Sequence, residues 1–218
     1  MSINNLLNDK SVFIFDFDGV LVESNKIRFN GFRKLFKDYP RDQVDQLVEY
    51  AKANGGISRY KKIEFFFSII CRKPISSKLV NHWANQFSEL VTKDILEARP
   101  VEGSLEFLEK YFNQFDFAIV SGSDQRELRE VCKGRGIDSF FKMILGSPTE
   151  KKDNIAALLS DLKWARSKSL YIGDSNNDLE AAKTNNIDFI GRSSGLVDWE
   201  GYNVKFVSDL SSLYNFLH

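Results

Sequence analysis

Only two cysteines occur among the 218 residues, Cys71 and Cys132, and they stand far apart in the chain. Such a pair builds no disulfide framework and fits a reducing compartment. Long apolar runs are missing as well: no stretch approaches the ~18–20 residues that a bilayer span requires. Met1 to Lys10 is polar and lacks the apolar block of a signal peptide. Nor does one sign of charge dominate. Lys and Arg total 30 and so do Asp and Glu, so no global field draws the chain to nucleic acid or to an acidic membrane. Internal repeats and low-complexity segments are absent too. The expectation is a soluble cytoplasmic protein, long enough for one large domain or for a domain carrying an insert.

What is present is organised around the stretch from Val12 to Leu21, where Val12-Phe13-Ile14-Phe15 runs directly into Asp16-Phe17-Asp18-Gly19. A short apolar run closed by a turn signal reads as a strand buried on both faces, as in a parallel sheet. Ligands of open α/β sheets bind beyond the carboxyl ends of the strands, which places Asp16 and Asp18 at that edge. Two carboxylates so close repel each other when ionised. A divalent metal with oxygen ligands is the most economical compensation.

From Asn25 the periodicity becomes helical. Helices are expected over Asn25 to Tyr39, Val44 to Ala53, Lys62 to Cys71 and Lys78 to Glu97, the last capped by Ser76 or Ser77, with no strand among them. From Pro100 strands and helices alternate. Strands are expected at Phe117–Val120, Met143–Leu145, Leu170–Ile172, Phe189–Ile190 and Val204–Phe206. Helices are expected at Gly103–Phe112, Gln125–Lys133, Asn154–Leu162, Asp178–Asn185 and Leu210–Leu217. That alternation means a doubly wound parallel sheet, Rossmann-like, with helices on both faces. The helical block is then an insertion, giving a core of residues 1–24 and 98–218 and an all-helical insert of residues 25–97.

Three strands end in chemistry: Asp16-x-Asp18, Ser121-Gly122-Ser123, and Gly173-Asp174-Ser175-Asn176-Asn177-Asp178, with Lys151 and Lys152 between the last two. Singly, each is weak, since a serine after a strand usually caps a helix and a lysine pair usually lies in solvent. In this order they resemble the haloacid dehalogenase superfamily of phosphotransfer enzymes, in the branch of phosphoglycolate phosphatases and β-phosphoglucomutases with a small helical cap. The resemblance spans essentially the whole chain. It departs in carrying Glu23-Ser24 where Asp-Ser or Asp-Thr is common, and in a lysine set after Gly146-Ser147-Pro148.

The resemblance implies a phosphatase acting on a small phosphorylated metabolite. Asp16 would be the nucleophile, Asp18 the general acid and base, and Ser121, Gly122 and Lys151 the phosphoryl-binding groups. Mg²⁺ would lie on Asp16, Asp18 and Asp174, with Asp178 as an outer ligand or orienting group. Lys152 remains a rival to Lys151. Gly55-Gly56-Ile57-Ser58-Arg59 resembles the family's cap loop, in which Arg59 would meet an anionic part of the substrate; otherwise Ser58 caps a helix and Arg59 lies at the surface. A phosphomutase is the nearest alternative and a non-catalytic metabolite-binding protein the alternative of another class. No nucleic-acid or membrane partner is expected, and a monomer or weak homodimer is. Some of the 19 phenylalanines should line the cap interface as well as the core, and His82 and Trp83 should be surface or core residues rather than site residues.

Overall fold

The computed structural model describes residues 3–216. Six parallel strands form one sheet: β1 (Val12–Phe15), β2 (Asp116–Asp124), β3 (Met143–Ser147), β4 (Ser169–Gly173), β5 (Asp188–Arg192) and β6 (Lys205–Val207), in the order β3-β2-β1-β4-β5-β6. This is the doubly wound order, whose topological switch point lies beside β1. The period-2 geometry of a strand sends successive side chains to opposite faces. Phe13, Phe15, Phe117, Ile119, Leu170 and Ile172 accordingly join one core cluster, while Val12, Ile14, Ala118, Val120 and Tyr171 join the other. Burial on both faces explains why these strands read as unbroken apolar runs.

The helices around the sheet are α1 (Ile3–Leu7), α6 (Ser104–Tyr111), α7 (Gln125–Gly134), α8 (Lys151–Asp161) and α9 (Asn176–Thr184). Between β1 and α6 lie α2 (Asn25–Leu35), α3 (Arg41–Ala53), α4 (Arg59–Phe65) and α5 (Ser77–Glu97). Val80, Ala84, Phe87, Val91 and Ile95 give α5 one buried stripe, and the Ser76 hydroxyl caps its start by accepting the Leu79 N–H. A second aromatic core forms inside this block, where Phe36 and Phe66 approach to 4.2 Å between ring centroids beside Tyr39, Phe67 and Trp83. His82 is exposed.

Several elements differ from the sequence expectation. The helix expected from Lys62 begins at Arg59, and its last turn, Phe66–Ile70, is π-helical, with the Cys71 N–H on the Phe66 carbonyl. Both Phe66 and Phe67 are buried in that wider turn. The helix α1 was not expected, being too short to show periodicity, although Leu7 is fully buried. Ser211–Phe216 is 3₁₀ rather than α-helical, and Leu217 lies outside the described residues. Among the described residues no helix is long and apolar enough to cross a membrane.

The two connections between the helical block and the sheet run side by side. Val22 bridges Pro100, and the Glu23 N–H donates to the Arg99 carbonyl at 3.0 Å. Arg135, just past α7, donates to the carbonyls of Ile95, Leu96 and Ala98, each at 2.9 Å. These carbonyls close the end of α5, so the return connection is tied to the core at a defined place.

Candidate active site

At the carboxyl end of β1 the Asp16 side chain is almost wholly buried. One of its oxygens accepts the Phe17 N–H at 2.7 Å and the other accepts the Lys151 ammonium at 2.7 Å. Lys151, the first residue of α8, also donates to Asp178 at 2.5 Å. Lys152 points away, half exposed and paired with Glu150. Of the two adjacent lysines, Lys151 is therefore the one that reaches the site.

Asp174 follows β4 and accepts the Asn25 side-chain amide at 2.7 Å. Its approach depends on Gly19: a Cβ there would lie 2.1 Å from an Asp174 oxygen, and the backbone has φ +73°. Asp178, fully buried near the start of α9, takes four donors: Lys151, Tyr171 Oη at 2.7 Å, and the Ser175 N–H and hydroxyl at 3.0 and 2.6 Å. Its acceptor capacity is used by the protein itself, as befits a group that orients Lys151.

Carboxylate oxygens of Asp16, Asp174 and Asp178 all lie within 4.8 Å of one another. Burial raises the Asp16 carboxyl well above the ordinary carboxylate range; Lys151 opposes the rise and Asp178 and Asp174 add to it. Asp174 is raised by burial and by Asp178. Burial alone would lower Lys151, yet Asp16 and Asp178 hold it protonated. Three buried acids around one ammonium are short of positive charge, and the oxygens of Asp16 and Asp174 fit a hard divalent cation.

Asp18 looks the other way. Its carboxylate accepts the Ser24 hydroxyl, Arg28 Nε at 3.0 Å and the Ser123 hydroxyl at 2.5 Å. Burial pushes the group up, but Arg28 and these hydrogen bonds outweigh it and hold it below the usual range. Ser121 is buried at the end of β2 beside Gly122, where a Cβ would come within 2.2 Å of the Gly56 carbonyl. The Gly55–Ile57 loop thus lies directly on the β2 end.

A cleft with about 520 Å³ of empty space lies between sheet edge and helical block, lined by Asp16, Asp18, Ser121 and Asp174 below and by Arg28, Arg59 and Lys62 above. Phe29, Phe32 and Phe87 form part of its wall, so phenylalanines do face this interface. Arg59 is neither at the surface nor free. Its guanidinium donates twice to Glu127, at 2.6 and 2.9 Å, and to Ser88 at 2.6 Å, and it covers the Phe87 ring at 4.7 Å. Ser58 does cap α4, its side chain accepting from the Lys61 N–H. Arg28 also pairs with Glu127 and donates to Ser123 at 2.7 Å. Burial would raise the Glu127 carboxyl, but Arg28 and Arg59 drive it far below the usual range. Lys62 is pushed down to about 8, by burial first, with Asp18 opposing and Lys151, Arg28 and Arg59 adding.

Sequence reasoning missed Arg28, Lys62, Asn25, Ser123, Tyr171 and Glu127. The signal for three of them was a charge on an apolar stripe. Arg28, Lys62 and Glu127 each stand four residues before a buried apolar residue, namely Phe32, Phe66 and Val131.

A family model of the haloacid dehalogenase-like hydrolases matches residues 13–192, from β1 through β5. The chain belongs to that family. Within it the likeness is to the phosphoglycolate-phosphatase-like branch. The chain is 27% identical over 199 residues to a phosphoglycolate phosphatase of Colwellia psychrerythraea, covering 87% of each chain. It is 24% identical over 179 residues to a pyrophosphatase, PpaX, of Listeria monocytogenes, covering 79% of this chain and 78% of that one. The solved structure of a haloacid dehalogenase-like family hydrolase from Streptococcus pneumoniae superposes with a TM-score of 0.70 at 19% identity, covering 96% and 99%. The expected fold and enzyme class are borne out: this is a hydrolase on a Rossmann-like core.

Proposed function

We propose that this haloacid dehalogenase-family hydrolase is a Mg²⁺-dependent phosphomonoesterase for a small phosphorylated metabolite of phosphoglycolate or sugar-phosphate type. The carrying observation is the trio of buried carboxylates set against one ammonium at the switch point of the sheet. That group lacks positive charge for its acids, and it offers Lys151 and the Ser121-Gly122 loop to an incoming phosphoryl group. The names of the curated relatives, a phosphoglycolate phosphatase and a pyrophosphatase, support phosphoryl chemistry and differ in leaving group.

In this reading an Asp16 oxygen attacks phosphorus, the bond to the leaving oxygen breaks, and Asp18 gives that oxygen its proton. Water then attacks the phosphoryl group on Asp16, Asp18 takes the proton back, and free phosphate leaves. Lys151, the Ser121 hydroxyl and the Gly122 N–H hold charge that develops on the phosphoryl oxygens. A divalent cation held by Asp16, Asp174 and the Asp18 carbonyl would supply further charge neutralisation. Asp178 keeps Lys151 in place from behind. The helical block, closing about the paired connections at Val22 and Pro100, excludes competing water.

Phosphate release should require added metal. Exhaustive chelation is expected to silence turnover and Mg²⁺ to restore it, with Ca²⁺ a poor substitute because its looser, higher coordination misaligns the oxygens. The assay is phosphate release over a panel of phosphorylated metabolites, with a sugar bisphosphate included to separate hydrolysis from transfer. Full activity after chelation would sink the assignment.

Arg28 sets a pH dependence. As general acid Asp18 must be protonated, so kcat/KM falls as pH rises through its pKa, and Arg28 holds that pKa low in the free enzyme. Removing the cation raises the pKa, because the opposite charge that favours the ionised form is gone. Arg28→Met should therefore move the alkaline limb of kcat/KM to higher pH than in the native enzyme on the same ester. A limb that stays put would remove Asp18 from the acid role.

A further inference from the structure

Three cations of the helical block line the cleft, and two are already engaged. Each nitrogen of the Arg28 guanidinium has a protein acceptor: Asp18 for Nε, Glu127 for Nη1 and Ser123 for Nη2. Arg59 is likewise taken by Glu127 and Ser88. Lys62 differs. It is only 8% exposed and lines the same cleft, yet among the described residues its ammonium has neither a hydrogen bond nor an ion pair. Its stem is enclosed while its ammonium opens to the cleft, so its charge is free to pair with an anion that enters there.

We propose that Lys62 is the residue of the helical block that receives the anionic end of the leaving group, and that this end is a single carboxylate. The proposal rests on the phosphomonoesterase reading and adds the recognition that reading lacks. Charge supports one negative unit rather than two. In the free enzyme, where Arg28 keeps Asp18 ionised, Arg28, Arg59 and Lys62 bring three positive charges against those of Asp18 and Glu127, leaving one unmatched. A second phosphate would bring two charges to a lone donor. Phe29, Phe32, Ile57, Phe87 and Leu196 give the same cleft an apolar share of its lining, which suits a short hydrocarbon spacer. Glu127 is the reason the arginines do not serve: it occupies both, so the cation left for substrate is the one it cannot reach.

The test compares two esters of the same chain length, 2-phosphoglycolate and 2-hydroxyethyl phosphate, whose leaving group ends in a neutral hydroxyl, on the full chain with Mg²⁺. The quantity read is the ratio of kcat/KM for the acid to kcat/KM for the neutral ester. Lys62→Met should lower that ratio ~10- to 100-fold, the span of a charge-assisted contact, chiefly through KM for the acid. Lys62→Arg, which keeps the charge, should restore most of it. Calorimetric binding of the two esters to Asp16→Asn, with and without Lys62→Met, gives the same ratio without turnover. A missing phosphatase activity is thereby separated from a wrong anion site. An unchanged ratio in Lys62→Met, or losses on both esters alike that Lys62→Arg does not repair, overturns the proposal.

Discussion

Asp16→Asn is expected to lower phosphate release by ~10³-fold or more, because an amide cannot carry the phosphoryl group and no neighbouring carboxylate stands where it does. Asp174 lies across Gly19 against Asn25, and Asp178 is enclosed by its own four donors. The fold should survive. An asparagine oxygen still accepts the Phe17 N–H, and Lys151 keeps Asp178. Without bound metal the substitution even relieves repulsion, since two carboxylates then share the ammonium in place of three. The unfolding midpoint measured in chelator should therefore not fall below that of the native chain. Residual activity within tenfold of the native enzyme would show that Asp16 is not the nucleophile, and a lower midpoint would show that its charge stabilises the fold.

The residues that carry this chemistry were legible in the sequence because they follow apolar runs, although β2 continues past Ser121 to Asp124, beyond the run Phe117–Val120 that announced it. Asp16, Ser121 and Asp174 each follow an apolar run whose end needs no tertiary knowledge to find, and the parallel sheet brings those ends to one edge. Lys151 against Lys152 was not decidable, since adjacent residues on a helix start differ only in azimuth; the fold turns one to Asp16 and the other to solvent. The partner of Arg59 could not be read at all. Glu127 lies 68 residues away on α7, and nothing local announces the pairing. What the local sequence does show is the anomaly of charge on a buried stripe, in three places on the helical block and once on the sheet side. Three cations against one acid is the pattern of a cleft that closes on itself around counter-ions, and the closed geometry resolves which pairs with which.

Glu127 is the joint on which that closure depends. It reaches from α7 to Arg28 on α2 and Arg59 on α4, all within a few per cent to about an eighth of full side-chain exposure. Removing one member of a buried ion pair costs far more than the pair contributes, because a desolvated charge is left behind. Glu127→Gln, equal in size, leaves Arg59 with no counter-charge and Arg28 with Asp18 alone, and should lose ~3–5 kcal/mol in urea unfolding at neutral pH. Opening of the helical block about the Val22–Pro100 connections would let the guanidiniums reach water and return part of that loss. Small-angle scattering would then record a larger radius of gyration. The pH dependence has a definite sign. Arg28 and Arg59 depress the Glu127 carboxyl in the folded state, so its stabilisation is fully present above the unfolded value of ~4.3 and is lost as pH falls toward the folded one. The gap between native and variant stability should consequently be widest near neutrality and narrow steadily below pH ~4. A variant equal to the native chain in both stability and radius would mean that the two arginines find other acceptors, and that the cleft is held shut by its phenylalanines alone.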